Sequence, residues 1–216
     1  MAANIDQVAI VIAPEPTPHG NLIDRYLVAT EAMGAAALLV VNKADLLADA
    51  GTAAVLATLL APYEALGYPV IEASRATAGA TLGAALAGHT SVLVGQSGVG
   101  KTSLVNALLP GLDRRTGELS GPGRKGRHTT TTAELYHLAT GGDLIDSPGI
   151  REFGLDHLPR DTVAGGFREF RPFLGHCRFR DCRHRDEPGC ALLEAVAAGK
   201  VSSERLASYR HIVDEG

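Results

Sequence analysis

The chain has 216 residues, a formal net charge of -4, 45% hydrophobic residues and 20% charged residues. That composition is ordinary for a soluble globular protein and allows one large domain with a small appendage, folding without disulfide staples. The longest apolar runs, near 34–41 and 91–94, are too short to span a bilayer, and no basic segment followed by an apolar stretch opens the chain. A cytoplasmic protein without a membrane association is therefore expected.

Four apolar, β-rich runs open the sequence, at 7–13, 37–42, 69–74 and 90–95. Between them, 21–33, 52–66 and 79–87 carry apolar residues at helical spacing. Near-continuous apolar strands alternating with helices predict an α/β fold, a mostly parallel sheet with helices on both faces. After a helix opening near Lys101, residues 113–128 are rich in Gly, Arg and Pro and read as a long loop. Strands 134–139 and 143–146 follow, and Thr140-Gly141-Gly142 between them suits a hairpin. From Gly165 the chain reads as short helices around a cysteine cluster, ending in an amphipathic helix over 201–213. Charge is uneven: residues 1–90 hold 3 basic and 8 acidic side chains, whereas 114–185 hold 13 basic and 9 acidic. Any polyanion contact is thus directed towards the C-terminal half, although a normally solvated surface has the same look.

Gly95-Gln96-Ser97-Gly98-Val99-Gly100-Lys101-Thr102 fits Gly-x4-Gly-Lys-[Ser/Thr], between a strand ending at Val94 and a helix opening at Ser103. Glycines let the backbone fold tightly enough for several N–H groups to face phosphate oxygens, and the helix adds its positive dipole end. Lys101 would reach the β- and γ-phosphates, and the Thr102 hydroxyl would serve Mg2+. A chance match is the bland alternative, and the strand–loop–helix context argues against it. Asn42-Lys43-Ala44-Asp45 stands at the end of another strand, where open α/β sheets bind ligands. The Asp45 carboxylate can accept two hydrogen bonds from the N1–H and N2–H2 edge of guanine, a pair that adenine does not offer. Asn42 would brace the loop and Lys43 would pack along the ring. Glu72-Ala73-Ser74-Arg75 ends the next strand, and backbone N–H groups at Ser74 and Arg75 could meet guanine O6. The combination reads as a GTP/GDP site.

Asp146-Ser147-Pro148-Gly149 ends the last strand. Asp146 would act on Mg2+, directly or through water, and the Gly149 N–H would sense the γ-phosphate. In Arg127-His128-Thr129-Thr130-Thr131-Thr132, a threonine can close over Mg2+, with Thr130 and Thr131 as the candidates. Many GTPases place a water-orienting glutamine after that glycine. Here the residue is Ile150, so hydrolysis needs a polar group from elsewhere, and His128 is the nearest candidate. His128, Lys101 and Gly149 form the expected catalytic set. Further on, Cys177-x4-Cys182-x-His184-x5-Cys190 offers three thiolates and an imidazole, a closed structural set for one Zn2+. His176 and His211 are spare imidazoles.

The guanine-reading loop precedes the phosphate loop, and both switch segments come last, the reverse of the ordinary GTPase order. This is a circularly permuted arrangement, expected to divide into a GTPase domain over 1–164 and a zinc-binding module over 165–216. The order of motifs, Asn4-Ile5-Asp6-Gln7, the Gly-Gln-Ser-Gly-Val-Gly-Lys loop, Gly126-Arg127-His128-Thr129-Thr130, Asp146-Ser147-Pro148-Gly149-Ile150-Arg151-Glu152-Phe153 and the Cys/His spacing resemble the RsgA (YjeQ) family. Those are circularly permuted GTPases that assist late maturation of the small ribosomal subunit. The resemblance implies slow GTP hydrolysis stimulated by the small ribosomal subunit, Mg2+, one zinc ion, contact with rRNA, and a part in hydrolysis for His128. Family members usually carry an N-terminal OB-fold for which this chain has no room, so either a trimmed chain, the favoured reading, or a shortened relative is expected, as a monomer. The competing readings are a non-hydrolysing GTP-dependent switch, motivated by Ile150, and a small-molecule kinase, against which Asn42–Asp45 and the cysteine cluster count.

Overall fold

The computed structural model describes residues 4–111, 134–146, 155 and 157–215. Six strands form one sheet: β1 (Gln7–Ile12), β2 (Ala36–Val41), β3 (Val70–Glu72), β4 (Thr90–Val94), β5 (Glu134–His137) and β6 (Asp143–Asp146). Their order across the sheet is β3-β2-β1-β4-β6-β5. All neighbours run parallel except β5 and β6, which form the antiparallel hairpin that the glycine pair predicts. Leu138 N–H donates to Gly142 O at 2.9 Å across that turn. All six residues of β1 and five of β2 are buried, which is why these strands read as unbroken aliphatic runs. β3 is shorter than the 69–74 run, because as an edge strand it is held by β2 alone.

Contacts between residues group the chain into two compact units. The first joins Met1–Pro18 to Ala35–Glu152 and contains the sheet. On one sheet face Ala9, Val11, Leu38 and Val40 share a core with Leu86 of α3 (Thr81–Leu86) and Leu104 of α4 (Lys101–Leu108). Strand residues two apart point to the same face, so Ala9 and Val11 contribute together. α2 (Ala50–Ala65) opens where the Asp49 carboxylate accepts the Thr52 N–H at 2.7 Å. That hydrogen bond holds the Asp49 carboxyl below its ordinary range.

The second unit joins His19–Gly34 to Phe153–Gly216. It differs from the expected boundary between 164 and 165, because α1 (Gly20–Ala32) is grouped with the C-terminal residues and not with the strands it connects. Val28 and Ala29 of α1 share a core with Phe167, Phe170, Leu192 and Tyr209. The Phe167 and Phe170 rings stack with centroids 4.7 Å apart, and Tyr209 meets both edge-on. Burying each such ring contributes roughly 2–3 kcal/mol. The other helices of this unit are α5 (Arg160–Gly165), α6 (Ala191–Ala197) and α7 (Ser203–Glu215), with a 3-10 helix at Arg168–Phe173.

Ion pairs fasten α1 into this unit. Arg205 of α7, 6% exposed, donates to Asp24 of α1 and, from Nε at 2.6 Å, to Glu169, while its guanidinium lies 4.6 Å from the Phe167 ring centroid. Glu31 of α1 accepts from Arg168 Nε and from Arg171 Nη2, each at 2.6 Å. The physical reason for the shifted boundary is therefore a buried apolar face reinforced by ion pairs, of which Arg205–Asp24 is buried.

Candidate functional site

β2, β1, β4 and β6 are consecutive neighbours and all parallel, so their C-terminal ends open on one edge of the sheet. Asn42 follows β2, Gly95 follows β4, and Asp146 is the last residue of β6. At about 4.8 Å between strands, β2 and β6 stand roughly 14 Å apart. The chain steps from β1 to β2 and β3 on one side, then returns to β4 on the other side of β1. That reversal between β1 and β4 is the topological switch point, the place where open α/β sheets bind ligands.

The 95–102 loop is tightly wound. Gly95 has φ 140°, and a Cβ there would run into Val11 O; Gly100 has φ 94°, and a Cβ there would meet Asn42 Nδ2. Neither position admits a side chain, so the loop can lie against the ends of β1 and β2. Lys101 Nζ donates to Gly95 O at 2.5 Å and to Gln96 O at 2.8 Å, arching back over its own loop. Ser97 and Gly98 are exposed at the tip, whereas Val99 is buried beneath it. Thr102 and Ser103 sit in the first turn of α4.

The Asn42–Asp45 segment is bound to this loop directly. Asn42, 3% exposed, donates from Nδ2 to Val99 O at 2.8 Å. Lys43 adopts a left-handed backbone, φ 57°, and its Nζ donates to Glu15 O at 2.6 Å. That turn presents Asp45, exposed, at the start of a 3-10 helix, Ala44–Ala48. Ala44 N–H donates to Ala73 O at 3.1 Å, which ties the loop to the segment after β3. There the Ser74 N–H donates to Thr77 Oγ1 at 3.0 Å. Of the two N–H groups expected to meet guanine O6, Ser74 is thus engaged within its own turn, leaving Arg75.

Sequence reasoning missed Thr77 and the Glu15–Pro16 segment. Pro14-Glu15-Pro16-Thr17-Pro18 is a conspicuous run, but its nearness to both loops follows from β1 lying between β2 and β4. His128, Thr130, Thr131 and Gly149, with Ile150, lie outside the described residues.

A second constellation lies in the other unit. The ligand atoms of Cys177, Cys182, His184 and Cys190 all lie within 4.8 Å of one another. His184 Nδ1 is 3.6 Å from the Cys177 and Cys182 sulfurs and 3.3 Å from Cys190 Sγ. A tetrahedral zinc ion with Zn–S of about 2.3 Å and Zn–N of about 2.0 Å needs N···S edges of roughly 3.5 Å. The cluster fits such an ion, and it can hold a metal. Burial lowers the His184 pKa, which favours the neutral imidazole that ligates. Burial pushes the Cys182 thiol up to about 12, a direction that a cation among the sulfurs reverses. His176 is exposed, and His211 pairs with Glu215 at 2.9 Å, so His184 is the imidazole of the set.

The frame around the cluster is polar. Glu187 accepts the N–H groups of Arg183 at 2.7 Å and Arg185 at 2.8 Å, which lower its carboxyl to about 2. Arg210 of α7 donates to His184 O from Nε at 3.0 Å and from Nη2 at 2.7 Å. The cluster is thereby anchored to the helix whose Tyr209 forms the aromatic core.

Comparison with known proteins bears on both constellations. The family model described as RsgA GTPase matches residues 1–156. Proteins described as small ribosomal subunit biogenesis GTPase RsgA are 60% identical over 215 residues in Pseudomonas aeruginosa strain LESB58 and 62% identical over 216 residues in Chromohalobacter salexigens. Each alignment covers 99% of this chain and 63% of the relative, so the chain spans less than two thirds of their length. Among solved structures, YjeQ from Thermotoga maritima matches with a TM-score of 0.77 and 32% identity over 98% of this chain and 71% of that one. YloQ, described as a circularly permuted GTPase, matches with a TM-score of 0.77 and 29% identity over 98% and 68%.

Proposed function

The chain belongs to the RsgA GTPase family, and from that premise we propose that it binds GTP, hydrolyses it to GDP and phosphate, and assists late maturation of the small ribosomal subunit. The main support is the hydrogen bond from Asn42 to Val99 O, which holds the Asn42–Asp45 segment against a phosphate loop on the same sheet edge. A base-reading carboxylate and a phosphate cradle at that spacing suit a guanine nucleotide laid across the ends of β2, β1 and β4.

In this reading Asp45 accepts the N1–H and N2–H2 edge of guanine, with Arg75 N–H facing O6. Backbone N–H groups of 95–102 surround the α- and β-phosphates, and Lys101 exchanges its carbonyl partners for β- and γ-phosphate oxygens. Thr102 and Asp146, the latter directly or through water, with Thr130 or Thr131, would hold Mg2+, and the ion would neutralise charge on the phosphates. Gly149 N–H donates to the γ-phosphate. His128 orients the attacking water, the task for which Ile150 has no polar atom. One zinc ion on Cys177, Cys182, His184 and Cys190 stabilises its module and takes no part in chemistry, since four protein ligands leave no open position.

The partner is the small ribosomal subunit and its rRNA, which the relatives' description supports, and the basic excess over 114–185 suits an RNA surface. No described helix is long and apolar enough to cross a membrane, and a cytoplasmic monomer is the arrangement proposed. Ile150 also favours a second reading, a switch that binds GTP without cleaving it. Nucleotide competition separates the GTPase from a kinase-like ATP enzyme. GTP and GDP should displace a fluorescent guanine nucleotide, and equal displacement by ATP would overturn the assignment.

A further inference from the structure

Residues 13–18 continue β1 past its last paired residue. Because β1 lies between β2 and β4, this segment leaves the sheet between the guanine loop and the phosphate loop. It meets both. Ile12 O, at its root, accepts the Asn42 N–H at 2.8 Å. Glu15 O accepts from Lys43 Nζ at 2.6 Å. The Pro16 ring stands 3.6 Å from the point where a side chain on Gly98 would begin. Pro14, Thr17 and Pro18 instead line a cavity of about 340 Å³ whose other wall is formed by Gly51, Thr52, Val55, Leu56 and Leu59.

We infer that Glu15 and Pro16 form a third wall of the nucleotide site, in which Pro16 is a positioning residue acting through Lys43 and the Gly98 turn. The inference rests on the guanine-nucleotide reading above. A free lysine side chain samples many rotamers, which a hydrogen bond at its tip restricts. With its ammonium held on the Glu15 carbonyl, the Lys43 stem becomes a fixed apolar rail for one face of the purine. A proline ring locks its own φ, so Pro16 limits how the Glu15 carbonyl attached to its nitrogen can turn. The same ring limits outward movement of the phosphate loop at Gly98. The segment therefore acts on base and phosphate loops together, and its expected effect is on nucleotide release.

The test is the dissociation rate of a fluorescent GDP analogue, measured by stopped flow on the intact chain. Pro16→Gly should raise that rate about tenfold, equivalent to about 1.4 kcal/mol. Lys43→Met, which keeps the stem and removes the ammonium, should raise it similarly. The double variant should release GDP no faster than the faster single variant, because the two act in one chain of contacts. Pro14→Gly, in the same segment but facing the cavity, should change the rate by less than about twofold. Melting of the nucleotide-free protein separates positioning from loss of fold, and it should be alike in Pro16→Gly and Pro14→Gly. Release from Pro16→Gly at the parent rate would overturn the inference. So would independent, multiplying effects of the two singles, or an equal effect of Pro14→Gly. An unmodified chain that binds no GDP would instead overturn the nucleotide-binding reading itself, and the inference with it.

Discussion

Replacing Asn42 by alanine should uncouple the guanine loop from the phosphate loop. Asn42 is 3% exposed and Val99 is 2% exposed, so the 2.8 Å hydrogen bond between them is shielded from water. Removing the donor leaves a buried carbonyl without its partner, a loss of about 1–3 kcal/mol. At about 2 kcal/mol, and 2–4 °C per kcal/mol for a chain of this size, melting of the nucleotide-free protein should fall by roughly 4–8 °C. The same bond helps hold both loops in the geometry that a nucleotide needs, so GDP affinity should fall by up to about 30-fold. Asn42→Asp should be worse, since it sets an acceptor against Val99 O. Calorimetric titration with GDP and thermal melting read the two effects. Affinity within about twofold of the parent, with unchanged melting, would refute the bracing role.

Asp45→Asn should weaken GDP binding by at least about tenfold, or 1.4 kcal/mol, and favour xanthine nucleotides; unchanged base preference in a competition assay would remove Asp45 from base reading. His128→Ala should lower turnover stimulated by the small ribosomal subunit while GDP affinity stays near the parent value, and equal turnover would exclude His128 from hydrolysis. Arg205→Met should remove the guanidinium that pairs with the buried Asp24 carboxylate and with half-buried Glu169, at a loss of about 3–5 kcal/mol in denaturant unfolding. A small change there would mean that water reaches the pair. Chelation after mild thiol modification should release one zinc equivalent, measured by a colorimetric dye, with loss of helical circular dichroism. Release of none would contradict zinc as the occupant of the Cys/His cluster.

Much of the first unit was legible because its strands are buried on both faces. β1 and β2 carry no solvent side, so their runs stand out without any alternation. The Cys/His cluster was legible for a different reason: Cys177 to Cys190 lie close in sequence, and their ligand atoms come within 4.8 Å of one another. The affiliation of α1 was not legible. Helical spacing says which residues of α1 point inward, but the partners that cover them, such as Arg205 for Asp24, lie 181 residues away. The Pro14–Pro18 run was visible but uninterpretable, since its meaning depends on strand order, which chain order does not reveal. Ser74 is a related case. Its N–H was assigned to the ligand, but a hydroxyl three residues on, Thr77 Oγ1, accepts it.

Phosphate release from GTP, followed with and without purified small ribosomal subunits, separates a GTPase from a switch. Release by the chain alone should be slow, and it should rise when subunits are added and be abolished by Lys101→Ala. Tight GTP binding with no phosphate release under either condition would contradict this expectation and leave a nucleotide-dependent switch in place of a GTPase.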